Sequence, residues 1–283
     1  TEIYTLSLHD ALPISSGRGR YSLATLDAIN YPEFSESELD HHFVIIAEQL
    51  KKALNKTLFC MANQDVRYYL NGLMINISNK TFKLVASNGH RLGIYQGELE
   101  QETGYEFVMI MPRKGVIELS RLIDNPEQKV QIQFSDSNIK VLFEHLNFSA
   151  KLVDAQYPDF SKIYNQEFMN VIKVDRDVLK ETLSRVAILS NEKINGITLD
   201  ISSEVLKIST YNLEQEEAEE EISIQFQCEQ AFSIAFNVQY LLEAISNIDS
   251  ETVHISIAKN ASTCLIEDPN DKSYQYIVMP LRL

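Results

Sequence analysis

The chain repeats itself at long range, and that feature limits its fold more than any other. NGLMINIS at residues 71–78 recurs as NGITLDIS at residues 195–202. The FKL that follows (residues 82–84) recurs as LKI (residues 206–208) at the same offset, and each block ends on an Asn, Asn88 and Asn212. Upstream, LKKALNKTLFCMAN (residues 50–63) shares its apolar spacing with LKETLSRVAILSNE (residues 179–192); the offset changes there because only the first copy carries DVRYY. A period this long means repeated domains, not a solenoid of short units. A partial third echo, RYSLATLDAINYPEF (residues 20–34) against NFSAKLVDAQYPDF (residues 147–160), falls where one repeat hands over to the next. The chain is therefore expected to begin near the end of one repeat and to continue through two complete ones.

Two full repeats and a partial one fit 283 residues, at roughly 100–200 residues per domain. The formal charge of −15 argues against a protein that coats nucleic acid indiscriminately, while leaving room for a localised basic face. Cys60, Cys228 and Cys264 are far apart, odd in number and in no metal spacing, which reads as buried free thiols in a reducing cytoplasm. No apolar run approaches the ~18 residues of a membrane span, and a secretory signal is not found, so a cytoplasmic protein without a membrane partner is expected. Residues 1–15, TEIYTLSLHDALPIS, match no part of the repeat and back-translate to a sequencing-adapter oligonucleotide. They are expected to be an artefact of the gene sequence and are set aside from fold reasoning.

Each repeat is expected to open with an amphipathic helix, because Leu50, Leu54 and Leu58 in one copy and Leu179, Leu183 and Val186 in the other keep helical spacing. Strands follow, with Asn71-Gly72, Asn88-Gly89 and Asn195-Gly196 supplying positive φ angles for tight turns. A second helix comes in mid-repeat. PRKGVIELSRLI (residues 112–123) starts on a Pro that needs no N–H, and NVQYLLEAISNI (residues 237–248) starts on an Asn suited to cap. Further strands close each unit, among them VQIQFSD with IKVLFEH and HISIA with YQYIVMPL. The expected class is α+β. An open row of such domains leaves sheet edges unpaired, and edge-to-edge closure into a ring removes them.

QDVRYYLNG (residues 64–72), NGHRL (88–92), PRKGVIEL (112–119), KLVDAQYPDF (151–160), AILSNEK (187–193), EQEEAEE (214–220) and the terminal VMPLRL (278–283) together closely resemble the bacterial sliding clamp, the β subunit of DNA polymerase III. The resemblance runs in order from about Ser16 to Leu283. It implies tandem repeated clamp domains, each with two inner helices against an outer antiparallel sheet. It also implies three domains per subunit and a head-to-tail homodimer, a six-domain ring around duplex DNA. On that pattern residues 16–40 are the end of clamp domain 1 with its linker, 41–165 are domain 2 and 166–283 are domain 3. The implied role is a replication processivity factor without catalysis of its own and without a cofactor. The implied partners are double-stranded DNA, the polymerase III catalytic subunit, the clamp loader, and other polymerases and repair proteins.

A ring of this kind holds DNA topologically, with a weak, non-directional phosphate attraction that permits sliding. Lys51, Lys52 and Lys56 on one helix, Arg113, Lys114 and Arg121 on another, and Lys180 with Arg185 on a third are the expected lining; on charge alone they would read as solvated helix faces. The fourth helix has no basic residue and carries Glu243. The resemblance implies that Gln64, Tyr68 and Tyr69 touch tilted DNA, Tyr offering a hydroxyl and an aromatic face; the alternative is a pair of strand tyrosines half-buried in the sheet. It implies an apolar pocket, edged by cations, for short peptides with leucine or aromatic anchors. Leu70, Gly89, His90, Arg91 and Leu92, then Pro158, Lys162 and Ile163, then Ile277, Val278, Met279, Pro280, Leu281 and Arg282 match that pocket. The family pattern has Thr-Asp before Gly-His-Arg-Leu where this chain has Ser87-Asn88, and Arg where it has Lys162.

The acidic run at residues 214–221 reads on its own as a solvated edge. The resemblance implies a subunit joint, with Glu216, Glu217, Glu219 and Glu220 facing the neighbour's Arg18 and Arg20 while Tyr21 and Leu23 pack against Ile188 and Leu189. With most of domain 1 absent, the chain is expected to be unable to close a normal two-subunit ring, which leaves a peptide-binding hub as the alternative function. An enzyme that transfers nucleotides or degrades DNA is disfavoured, because there is no carboxylate cluster for two metals, no phosphate-cradling Gly-rich loop and no catalytic triad. His90 stands without a second His or Cys at ligand spacing.

Overall fold

The computed structural model describes residues 11–25, 27, 29, 39–227, 230–259 and 262–281; Cys228 and Arg282 lie outside them. The chain divides into two compact units, Thr1–Glu38 and Leu39–Leu283. The described part of the first is an antiparallel hairpin of β1 (Ala11–Ser16) and β2 (Gly19–Ala24), in register from Ala11↔Ala24 to Ser16↔Gly19. Gly17 turns it at φ +57. Residues 11–15 of the segment set aside above therefore sit in a paired strand.

The second unit contains one element order twice. Its first half runs β3 (His41–Ile46), α1 (Ala47–Thr57), β4 (Gly72–Ser78), β5 (Thr81–Ser87), β6 (Arg91–Glu98), β7 (Glu106–Pro112), α2 (Arg113–Leu122), β8 (Lys129–Phe134), β9 (Asn138–Leu142) and β10 (Asn147–Lys151). A short turn of helix, α3 (Ser161–Tyr164), lies between the halves. The second half runs β11 (Phe168–Asp175), α4 (Arg176–Val186), β12 (Gly196–Ser202), β13 (Val205–Tyr211), β14 (Glu217–Ser223), β15 (Phe232–Asn237), α5 (Val238–Ser246), β16 (Thr252–Ala258), β17 (Cys264–Glu267) and β18 (Tyr274–Val278). Pairing is duplicated as well: β3 with β8 and β11 with β16, then β7-β4-β5-β6 and β15-β12-β13-β14. Each repeat thus opens on a strand, not on its helix, and β17 lies between the two closing strands read from the sequence.

Helix positions follow from apolar spacing. α1 buries Leu50, Ala53 and Leu54, α4 buries Leu179, Leu183 and Val186, and α5 buries Val238, Leu241, Ala244 and Ile245, each a stripe built from steps of three and four residues. Asp175 caps α4 by accepting from Val178 N at 2.9 Å, and Asn237 caps α5 by accepting from Gln239 N at 2.9 Å. α1 lacks a side-chain cap; its first N–H groups donate to the carbonyls of Gln128 and Pro126, both at 2.9 Å.

The Asn-Gly steps divide. Gly89 has φ +87 and Asn195 φ +50, as tight turns require, but Gly72 is extended at φ −147. The β4–β5 hairpin turns instead at Asn79, φ +49, and the β12–β13 hairpin at Glu204, φ +65. Gly72 answers a different need: a Cβ there would lie 2.7 Å from Ile110 Cγ2 and 2.8 Å from the Met111 carbonyl.

The two repeats are joined by β18 pairing antiparallel with β6, Tyr276↔Gly93 and Ile277↔Leu92 among the partners, which makes one eight-stranded sheet. Only glycine fits at 93, where a Cβ would stand 2.5 Å from Cys60 Sγ. On the helix side of this joint the Arg91 guanidinium is buried. It pairs with Glu243 on α5, donates to the Phe59 carbonyl and lies 4.5 Å from the Tyr240 ring. Lys56, also buried, pairs with Asp249 at 2.9 Å and donates to the Asn247 carbonyl, and Lys52 pairs with Asp271 at 2.9 Å. Cations of the first repeat therefore meet anions of the second along the whole joint, above one contiguous apolar core.

Arg91→Ala is expected to lower stability by about 2 kcal/mol in urea unfolding, because it leaves the Phe59 carbonyl without its donor and empties a buried site stacked on Tyr240. Lys52→Ala, whose side chain is 43% exposed, should cost less than about 1 kcal/mol. Burial pushes the Asp271 carboxyl up, but the Ser273 hydroxyl and the Lys52 ammonium outweigh it and hold it at about 2. A carboxyl depressed in the folded state stabilises fully above its unfolded value of 3.8 and stops doing so as pH falls toward about 2. Urea midpoints measured down that range should fall less steeply for Asp271→Asn than for the unsubstituted chain.

Candidate functional site

On the sheet face away from the helices, a second apolar cluster gathers Leu70, Val85, Leu92, Ile94, Leu265 and Ile277 under the inter-repeat linker, with Ile163 and Tyr164 of α3 packed on it. This brings together Leu70, Leu92, Ile163 and Ile277 from the predicted pocket. Pro158 is half-buried beside them and Lys162 is exposed. The C-terminal segment forms one rim: Met279, 37% exposed, donates its N–H to the His90 carbonyl at 2.9 Å, and Leu281 donates to Ala235 at 2.8 Å. Val278 is fully buried on the opposite face, while Pro280 and Leu281 are half-buried.

The loop before β6 is fixed by its own side chains. Asn88 Oδ1 accepts from His90 N at 3.0 Å and Arg91 N at 3.1 Å, and the Ser87 hydroxyl accepts from Gly89 N at 3.0 Å. Asn88 thus keeps the acceptor role an Asp would have, and its amide adds a donor to the Tyr240 hydroxyl at 3.3 Å. His90 is exposed.

Arg91 departs from the expected cationic rim, because its guanidinium lies on the helix face of the sheet, against α5. The cation beside the pocket loop is Arg67, which sequence reasoning passed over although it stands inside QDVRYYLNG. Its guanidinium covers Gly89, donates to the Asn88 carbonyl at 3.2 Å and pairs with Asp65 at 2.8 Å. Arg67's hydrogen bonds hold the Asp65 carboxyl at about 2.

The DVRYY insertion forms an exposed loop that ends in a 3₁₀ turn, Tyr68–Asn71, so neither tyrosine lies in a strand. Gln64 is exposed at φ +58, Val66 is 96% and Tyr68 58% exposed, and Tyr69 packs on the apolar cluster.

The basic helix residues differ in how much charge they offer. Lys114 and Lys180 are exposed. Lys56 departs from the expected lining, since its ammonium is buried in the joint. Lys51 donates to the Ile123 carbonyl at 2.6 Å and half-buried Arg113 to the Met61 carbonyl at 3.1 Å. Arg121 pairs with Glu118 at 3.1 Å, and Arg185 with Glu220 at 2.7 Å.

The acidic run forms β14, a free sheet edge with Glu217, Glu219 and Glu221 outward. Two of its acids already have partners in the chain, Glu220 with Arg185 and Glu219 with Lys207 at 2.7 Å; Glu216 accepts from Asn212 Nδ2 at 2.7 Å. Near this edge Ile188 is 78% exposed, with Leu189 half-buried. In the separate hairpin unit Arg18 and Arg20 are exposed, as are Tyr21 and Leu23. Burial raises the Cys60 thiol to about 12 and the Cys264 thiol further, so neither is a nucleophile at neutral pH. Among the described residues no group of three or more His, Cys, Asp or Glu is placed to hold a metal ion, and no helix is long and apolar enough to cross a membrane.

Residues 44–159 match the family model for the DNA polymerase III beta subunit, central domain, and residues 161–282 the model for its C-terminal domain. The chain is 38% identical over 274 residues to the beta sliding clamp of Vibrio cholerae, covering 97% of this chain and 74% of that protein. It is 36% identical over 270 residues to the one from Escherichia coli, with 95% and 73% covered. Among solved structures, a Pseudomonas aeruginosa DNA polymerase sliding clamp with ligand superposes at a TM-score of 0.91 and 36% identity, over 97% of this chain and 75% of that one. The same organism's sliding clamp bound to griselimycin gives 0.90, also at 36% identity, over 97% and 74%. The duplicated fold, the matches to both domain models and the identity to curated clamps agree, and the chain belongs to the beta sliding clamp family, the non-catalytic processivity factors of DNA replication.

Proposed function

We propose that the two complete repeats serve as domains of a head-to-tail ring around duplex DNA and tether polymerases and repair proteins through the pocket under the linker. The observation that carries the reading is the β18–β6 joint. Among the terminal strands of the second unit's sheets are β10, the counterpart of β18, and β14, the counterpart of β6. They are complementary in kind, so strands of this sort continue the same sheet from one domain to the next, and closure covers both. Tyr21 and Leu23 of one copy then cover Ile188 and Leu189 of the other. Glu217 is an acid of β14 without an ion pair of its own among the described residues and is available to Arg18 and Arg20, and the apolar contacts outweigh these exposed pairs, worth ~0–1 kcal/mol each.

Inside the ring Lys114 and Lys180 supply the freest charge, giving a diffuse attraction to phosphate. Gln64 and Tyr68 reach furthest toward tilted DNA. Leu70, Leu92, Ile163, Ile277 and Met279 hold the apolar anchor of a partner peptide, with Arg67 and Lys162 at its margin.

A labelled peptide bearing leucine and phenylalanine anchors should bind saturably in fluorescence anisotropy. Changing Met279 and Leu281 to Ala should weaken it at least about tenfold; unchanged affinity in a folded double variant overturns the pocket. Once loaded, the protein should remain on nicked circular DNA and run off when the circle is linearised. Lys114→Ala and Lys180→Ala should each reduce the log–log salt dependence of duplex binding by about 0.9. Equal escape from circle and line would leave a peptide-binding hub instead of a ring.

A further inference from the structure

Across α3 from the apolar pocket, the same sheet face holds a second groove of about 540 Å³. Ile94 and Tyr164 belong both to the apolar cluster and to the lining of this groove, so the two share a wall. Along β5, β6 and β18 the residues facing outward change from Val85, Leu92 and Ile277 to Lys83, Gln96 and Gln275. An apolar floor thus gives way to a polar one within a single strand repeat. The Lys83 ammonium is held at the boundary, 3.0 Å from the Tyr164 hydroxyl and 4.1 Å from its ring centroid. Lys272 lines the far side and is exposed. Glu98 is the one carboxylate among the lining residues, which leaves the groove net cationic on a chain of charge −15.

We infer that this groove receives the acidic flank of the peptide whose apolar anchor occupies the pocket, its carboxylates pairing with Lys83 and Lys272. The inference rests on the peptide-pocket reading. Reach supports a single occupant for both places. α3 is one turn of four residues, a helix is about 10 Å across, and an extended chain advances about 3.3 Å per residue; roughly three or four residues cross it. Gln96 and Gln275 each offer an amide donor and a carbonyl acceptor to the crossing backbone. The pairing is solvent-exposed, so it tunes affinity by a modest factor and weakens with salt.

Three fluorescein-labelled peptides with one leucine and phenylalanine anchor decide the matter: the anchor alone, the anchor with Glu-Asp-rich flanks, and the anchor with Gln-Asn flanks of equal length. In anisotropy titrations at low salt the acidic peptide should bind about fivefold tighter than the neutral one. That gain should vanish in 0.5 M salt (about a 4 Å screening length) and in the Lys83→Gln, Lys272→Gln double variant, whose affinity for the bare anchor stays unchanged. Equal affinity for the two flanked peptides, or a gain that survives the double variant, overturns the second groove while leaving the pocket intact. Failure of the bare anchor to bind overturns the pocket, and this inference with it.

Discussion

The antiparallel pairing of β18 with β6 is the contact on which the rest of the second unit depends. Without it, two repeats of identical topology would be separate bodies, each with raw edges. With it, they share one sheet and one apolar core. At the joint Gly93 lets the backbone of β6 lie against Cys60 of its own repeat. On the helix side Arg91, Lys56 and Lys52 tie the first repeat to acids of the second. Buried charges of this kind need partners to be tolerated; the Arg91 guanidinium has an ion pair, a carbonyl acceptor and an aromatic face, while its Nε is buried without a hydrogen-bond partner among the described residues. On the opposite face the joint creates the second apolar cluster: Leu92 comes from one repeat, Ile277 from the other, and residues of the linker pack on both.

Much of the fold was legible because repeats and helical stripes are local signals. The spacing of Leu179, Leu183 and Val186 forecasts α4, and Asn237 forecasts the cap of α5, since both depend on residues within a turn or two. Gly72 misled because an Asn-Gly step has two physical uses, a positive φ or a missing Cβ, and only packing against Ile110 and Met111 distinguishes them. The pocket's apolar members were named through family likeness, with no periodicity to mark them. Arg91 and Lys56 were misplaced for a related reason: their partners lie more than a hundred residues away, in the other copy. Arg67 sat in a quoted motif, and only its closeness to Gly89 reveals what it does.

Charge is distributed with economy in this acidic chain. Most basic residues on the helices are already paired or bonded to carbonyls, and the ones left exposed are few. A protein that must hold a polyanion without gripping it has use for such dilution, because each additional free cation steepens the attraction and slows movement along the duplex. The same pattern marks β14, where Arg185 and Lys207 restrain Glu220 and Glu219.

The duplication has also lost its interchangeability. β6 and β14 occupy the same place in the repeat, yet β6 presents Arg91, Gly93 and Tyr95 to the helix side of the joint whereas β14 presents Ala218, Glu220 and Ile222 to α4. A copy of the second repeat grafted into the first position would put Ala218 where Gly93 stands opposite Tyr276, and Glu216 where Arg91 stands, with no guanidinium to answer Glu243. Each copy carries residues that make sense only beside the other, so the two repeats are no longer exchangeable parts.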